Sequence, residues 1–236
     1  LVRRGTGWAQ SYVGLRDGRL SWEERPLPAG SPWIAALGES VAQPPEGSIV
    51  EVSLAASSWM HRVGLLLERG FVFTFDYGLT SVERSSPERA RGTLRAYRAH
   101  RREEDLLASP GEQDLTAHVD FEALQRSGEE VGLRTLALVD QHHFFVGILS
   151  ALAERSEGRL PEGLTAAGFQ TLAHPGFLGR SHRVLIQSKG IVDGASLSCL
   201  RFARPQALFD DSCADGHSLG TNRACGSIFP NGSSVS

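Results

Sequence analysis

Cysteine is scarce in this 236-residue chain: there are 3, at Cys199, Cys213 and Cys225. An odd number at wide spacing makes neither a CxxC pair nor a disulfide framework, so a stapled secreted scaffold is excluded and a reducing, cytoplasmic setting is expected. Lysine is reduced to Lys189, and arginine carries nearly all the basic charge, a bias of composition rather than of function. The formal net charge of -3 argues against a surface coated for nucleic acid, and none is expected as a partner. Long apolar runs are missing too. The longest, around 63–67, is far too short to span a bilayer. No apolar signal segment follows the first arginines, and Met60 is the only methionine, so residue 1 is read as not the start of the natural product. Walker, G-x-S-x-G and H-E-x-x-H motifs are absent, and isolated glycines between the candidate strands leave no phosphate cradle there.

What is present suffices for one substantial core, or one core with a small appendage: 41% of residues are hydrophobic and 22% charged. Segments 11–15 and 19–24, joined by Asp17-Gly18, predict a β-hairpin, followed by a Pro/Gly-rich connection with a short helix near 33–37. Helical spacing at Trp59, Val63, Leu66 and Leu67 predicts a helix over 55–69, stopped by Gly70. The apolar run 71–75 reads as a strand buried on both faces, with Asp76 at its carboxyl end, where ligands collect in open α/β sheets. Asp120 is placed to cap a helix over 121–131 with Glu122 and Glu129 facing solvent. Strands at 135–139 and 182–187, with helices at 144–155 and 164–173, complete an order expected of the back half of an α/β domain. From 205 onward the Gly, Ser and Asn content reads as disordered, and Cys213, His217 and Cys225 match no zinc spacing, so no metal site is expected.

The segment 91–121, RGTLRAYRAHRREEDLLASPGEQDLTAHVDF, is too polar for a core. Seven arginines fall between Arg84 and Arg102, partly offset by neighbouring acids, so a solvated surface is one reading. The other is a polar mouth over the sheet edge, formed by Asp76, Asp114, His118 and Asp120 with Arg91 and Arg95 nearby. Carboxylates there could accept from amino groups, a guanidinium offers a fork of donors, and His118 could exchange a proton or tie two loops together. An Arg91 or Arg95 network with Asp114 or Asp120 is compatible with both readings. His142 and His143 are adjacent on a helix, share no face, and are read as satisfied or exposed rather than metal ligands.

These motifs resemble the MidA family of class I S-adenosylmethionine-dependent methyltransferases, whose mitochondrial members assist respiratory complex I assembly. The resemblance rests on Asp76-Tyr77-Gly78 after a Trp-bearing helix, and on Arg91-Gly92-Thr93-Leu94-Arg95 with Tyr97 and His100. It continues through Pro110, Gly111, Asp114, Leu115, Thr116, Val119, Asp120 and Phe121, then Gln141 and Phe144. It implies a partial Rossmann-like fold, α/β, with an inserted hairpin region at 1–48, the carboxyl-terminal part of the methyltransferase domain at 49–204, and the tail at 205–236. The run 71–75 would be a central parallel strand and the last strand antiparallel. The family's glycine-rich cofactor loop has no counterpart, so the chain is expected to lack the amino-terminal half of the fold, to contain no cofactor-binding residue, and to be inactive alone. The complete enzyme would use S-adenosylmethionine on a protein arginine, with a complex I subunit as one protein substrate. The resemblance implies catalytic roles for Asp76, Asp114, His118 and Asp120. It implies substrate-contacting or loop-bracing roles for Tyr77, Gly78, Arg91, Thr93, Arg95, Thr116 and Gln141. The uncovered edge of the 71–75 strand would take a second copy or another partner. The alternative is a non-catalytic assembly or scaffold protein that keeps this fold.

Overall fold

The computed structural model describes residues 1–38, 44–84, 86–156, 165–191 and 197–202, all within one contact unit, Leu1–Gln206. The expected disordered tail, with Cys213, His217 and Cys225, lies outside the described residues. Strands β1 (Val2–Arg4), β2 (Gly7–Arg16) and β3 (Arg19–Pro26) form an antiparallel sheet. Asp17 and Gly18 both adopt positive φ, 50° and 76°, the geometry that a two-residue hairpin turn demands. A short helix, α1 (Pro32–Ala35), follows, with Ser31 capping its first turn.

Helix α2 (Leu54–Leu66) begins at the Ser53 cap, whose hydroxyl accepts from the Ala56 N–H. Its buried residues are Met60 and Gly64, whereas Trp59, Leu65 and Leu66 are exposed. The expected face is therefore rotated. Gly64 sits so close to a neighbouring helix that a Cβ there would lie 2.4 Å from a Val131 methyl, and this small-residue contact selects the buried side over the larger apolar residues.

The main sheet contains β4 (Gly70–Asp76), β10 (Arg134–Asp140) and β11 (Arg183–Lys189) in the order β10-β11-β4. β11 runs antiparallel to both neighbours, as expected for the last strand, so β4 and β10 point the same way. The central, fully buried strand is β11, where Val184, Leu185 and Ile186 are at most 1% exposed. This corrects the reading of β4 as covered on both faces. Among the described residues β4 pairs only with β11, and Phe73 and Phe75 remain 39% and 42% exposed. Their rings pack edge-on against Phe144 of α5 (Gln141–Arg155), at 5.9 and 5.0 Å between centroids.

Helix α4 (Phe121–Glu129) starts where Asp120 accepts from the Ala123 N–H, as its sequence position predicts. Its Glu122 is buried, however, not solvent-facing, because Phe121, Leu124 and Gln125 turn the same side of the helix inward. Between β4 and α4 come β5 (Gly78–Leu79), the single turn α3 (Ser81–Arg84), β6 (Arg95–Arg98), β7 (Arg101–Glu103), β8 (Asp114–Thr116) and β9 (Val119–Asp120). The polar segment is thus not a plain loop. It folds as a small antiparallel sheet, β7-β6-β8, while β9 pairs in parallel with β5. Helices α6 (Ala166–Ala173) and α7 (Leu178–Ser181) precede β11. Among the described residues no helix is long and apolar enough to cross a membrane.

Candidate functional site

The carboxyl end of β4 turns at Asp76, whose Oδ1 accepts from the Tyr77 N–H at 2.8 Å. The phenol of Tyr77 then reaches the small sheet and donates to Thr116 Oγ1 at 2.6 Å. Its ring lies between two imidazoles, His118 and His182, each with centroids 5.7 Å away and near-perpendicular planes. Gly78 is required by close approach: a Cβ would fall 2.4 Å from the Val119 carbonyl oxygen, so only glycine lets β5 lie against β9.

The loop before β6 is held by Glu51. Its Oε1 accepts from the N–H groups of Thr93 and Leu94 at 2.6 and 3.0 Å. Gly92 adopts φ +69°, and a Cβ there would lie 2.4 Å from the same carboxylate oxygen. The loop therefore needs glycine for conformation and for space. Thr93 Oγ1 in turn accepts from the His118 N–H at 3.0 Å, which ties this loop to the strand leading into α4. Arg95 donates to the carbonyl oxygens of Gly92 and Leu94 at 3.2 and 2.7 Å.

The expected Arg91 or Arg95 network with Asp114 or Asp120 is replaced by another. Arg84 pairs with Asp120 at 2.8 Å, with side chains only 5% and 13% exposed, and donates to the Glu51 carbonyl oxygen at 3.1 Å. Its contact with Asp120 is ionic and not an aligned hydrogen bond. Arg91 is exposed, as is Asp114, which stands opposite Tyr97 across the β6–β8 ladder. The reason is topological: β8 carries Asp114 outward, while the one-turn α3 swings Arg84 under β9.

Two cavities meet at His118. One, of about 290 Å³, is lined by Glu51, Ser53, Ser57, His118 and Asp120 among others. The other, of about 540 Å³, is lined by Tyr77, Thr116 and His118 together with Arg89, Arg95, Arg180 and Arg183 and a single carboxylate, Glu83. Asp76 and Asp114 line neither. Glu83 is bound to Arg183 through both guanidinium nitrogens, one at 2.7 Å, and accepts from the Thr80 N–H at 2.8 Å. Burial pushes the Glu83 carboxyl up, but the Arg183 and Thr80 hydrogen bonds outweigh it and leave the group below the usual range. His118 is depressed by burial and then by Arg89, Arg95 and Arg183, against an opposing pull from Glu51. Its Nδ1 is buried without a hydrogen-bond partner. An imidazole on the wall shared by two cavities is placed to exchange a proton.

Gln141 is structural: its amide donates to the Leu172 carbonyl oxygen at 2.8 Å and joins α5 to α6. His143 is bound to Asp140 and His142 to the Ala173 carbonyl oxygen, each at 2.6 Å, as their reading as satisfied histidines anticipates. Among the described residues no group of three His, Cys, Asp or Glu side chains could hold a metal ion. Glu51, Glu83, Arg84, Arg180 and Arg183 escape sequence reasoning. None belongs to a motif, and each joins the site only by long-range contact.

The described residues do not fit a whole S-adenosylmethionine. Glu51 Oε1 holds two backbone amides, and Asp120 is engaged by Arg84 and the start of α4, so neither stands free to grip a ribose. No run of glycine amides lines either cavity.

A protein family described as "putative S-adenosyl-L-methionine-dependent methyltransferase" matches residues 1–139. Among solved structures, an uncharacterised protein from Burkholderia thailandensis superposes with a TM-score of 0.73 and 31% identity, over 88% of this chain and 55% of its own. A second from the same bacterium and superfamily, whose crystal structure holds S-adenosyl-homocysteine, gives 0.72 and 30% identity, over 88% and 54%. The chain thus spans about half the length of the structures it matches. No functionally curated protein matches.

Proposed function

We propose, from the premise that this chain belongs to the family of putative S-adenosyl-L-methionine-dependent methyltransferases, that it forms the acceptor side of such an enzyme and serves methylation of a protein arginine. The cofactor supplies the methyl group. In this reading the chain is a partial Rossmann-like fold, the residues that hold the cofactor belong to the amino-terminal half that would lie against the open edge of β4, and the chain alone is inactive. The proposed setting is the cytoplasm. The proposed subfamily is the MidA type, with a respiratory complex I subunit among its protein substrates.

The observation that carries the reading is the place of His118, an imidazole with a depressed titration on the wall that both cavities share. An arginine side chain is protonated and must give up a proton as its nitrogen gains a methyl group. In this reading Glu51 and Asp120 give the smaller cavity a modest acidic bias, and His118, on the wall of both cavities, takes up the proton. Thr93 holds the His118 backbone, and Tyr77 with Thr116 holds the wall opposite the ring. Asp76 and Asp114 are positioning residues in this scheme: the first turns the chain after β4, and the second sits in β8 opposite Tyr97.

The test is transfer of labelled methyl from S-adenosylmethionine to peptides by the full-length protein, with mass spectrometry locating the modified residue. His118→Gln should lower the rate about 100-fold, the usual size of a general-base contribution, while S-adenosyl-homocysteine binding persists. The wild-type acid limb should lie below the ordinary histidine value of 6.5, because the depressed imidazole stays neutral to lower pH. Label on a residue other than arginine, or a wild-type rate in the variant, refutes the assignment.

A further inference from the structure

The larger cavity carries more positive charge than its own architecture uses. Four guanidinium groups line it, from Arg89, Arg95, Arg180 and Arg183, against the single carboxylate of Glu83. Glu83 is committed to Arg183. Arg89, Arg95 and Arg180 make no ion pair within 4 Å among the described residues, and Arg89 interacts electrostatically with its exposed chain neighbour Glu88. Arg95 is braced only by carbonyl oxygens. These three arginines come from separate elements: the turn Pro87–Arg89, β6 and α7. Their convergence is a product of the tertiary fold and not of the arginine-rich run.

Concave sites lined by one sign of charge focus their field, and like charges held together raise one another's potential. His118, on the wall of this cavity, is depressed first by burial and then further by Arg89, Arg95 and Arg183. The hydroxyls of Tyr97 and Thr116 line the same space, the latter accepting from Tyr77 and free to donate onward, so an incoming group would meet neutral donors as well as guanidinium forks. Planar guanidinium groups match the paired oxygens of carboxylate or phosphate.

We infer that this cavity is an oxyanion-recognition site, and that its ligand is a carboxylate or phosphate group borne by the peptide whose arginine enters the neighbouring acidic cavity. The second half of this statement rests on the function proposed above. The two cavities, sharing His118, then read a substrate with opposite charges close together: the acceptor cation on one side and an anchoring anion on the other.

The test is fluorescence anisotropy of the full-length protein with labelled glycine-rich peptides. Each peptide carries one arginine and, nearby, an aspartate, a phosphoserine or an asparagine. The acidic peptides should bind about tenfold more tightly than the asparagine peptide at low salt, with the preference shrinking as salt rises. The tighter of the two identifies carboxylate or phosphate as the natural group. Arg89→Gln and Arg180→Gln should each weaken the preferred peptide about three- to tenfold, and the double variant should abolish the preference. Neither arginine bears an ion pair, so thermal unfolding should stay close to wild type. Arg101→Gln, an exposed arginine on β7 outside the cavity, should leave binding unchanged. Equal binding of all three peptides would overturn the inference. So would a loss in Arg101→Gln as large as that in Arg89→Gln, or a single-stranded oligonucleotide that outcompetes the acidic peptides. Binding is read without cofactor. An acidic peptide that binds selectively but is never methylated would therefore dispose of the transferase reading and leave the anion site standing.

Discussion

The cavity at Glu51 and Asp120 and the cavity at Arg89, Arg95 and Arg180 share His118, yet they spend their charges differently. In the first, Asp120 caps α4 and neutralises Arg84, while Glu51 holds two loop amides through one oxygen. In the second, only Arg183 has a carboxylate partner. Charges that hold a fold together are paired and oriented by backbone. Charges left over in a concave space are available to something that is not the protein. The smaller cavity is therefore a rigid wall that retains a modest acidic bias, and the larger one is a receptor.

The sharpest way to break the first cavity without touching the second is Arg84→Ala. It leaves Asp120 buried without its counter-ion and the Glu51 carbonyl oxygen without its donor. A loss of about 3–5 kcal/mol is expected by chemical denaturation, the range for removing one member of a buried pair. A change under about 1 kcal/mol would show that the pair is solvated and that this wall is less rigid than it looks.

Gly92→Ala should cost less, about 1–3 kcal/mol, because φ +69° is unfavourable for alanine and the new methyl crowds the Glu51 carboxylate. Its signature is local. Hydrogen exchange should accelerate at the Thr93 and Leu94 amides that Glu51 binds. Unchanged exchange at both amides would remove Glu51 as the clamp of this loop.

The smallest effect separates the paired arginine from the unpaired ones by pH. Glu83 is depressed in the folded state from its ordinary value of 4.5, so the unfolded chain binds more protons as acidity rises. Its stabilising contribution is complete above that ordinary value and disappears as pH falls through the depressed one. Glu83→Gln should therefore lower the thermal midpoint by a few degrees near neutrality, and the two melting curves should converge in acid. A gap that persists at the lowest pH would show that packing, and not ionisation, underlies the effect.

Much of the scaffold was legible because it obeys local rules. The Asp17-Gly18 turn, the Asp120 cap and the apolar runs of β4, β10 and β11 each announce themselves through a few neighbouring residues. Legibility failed where one contact outranked a pattern. Gly64 drew α2 against α4 and left Trp59 and Leu66 outside, although helical spacing favoured the larger side chains. It failed again over 91–121, where short strands with few apolar residues gave no alternation to read and the small sheet went unseen. The site was legible in part. His118, Thr93, Thr116, Tyr77 and Arg95 all reach it, whereas Asp114 and Arg91 are carried outward by the strands and turns that hold them.

By itself, then, the sequence determined the hairpin, the strands and helices of the main sheet, the Asp120 cap and the family to which the motifs point, because each depends on residues close together along the chain. Only the tertiary structure decided that β4 keeps Phe73 and Phe75 partly exposed while β11 is buried. It alone decided that Arg84 claims Asp120, and that arginines from three distant elements share a cavity with one committed carboxylate. Pairing between charges depends on distance in space, and nothing in the spacing of Arg89, Arg95 and Arg180 announces that they meet.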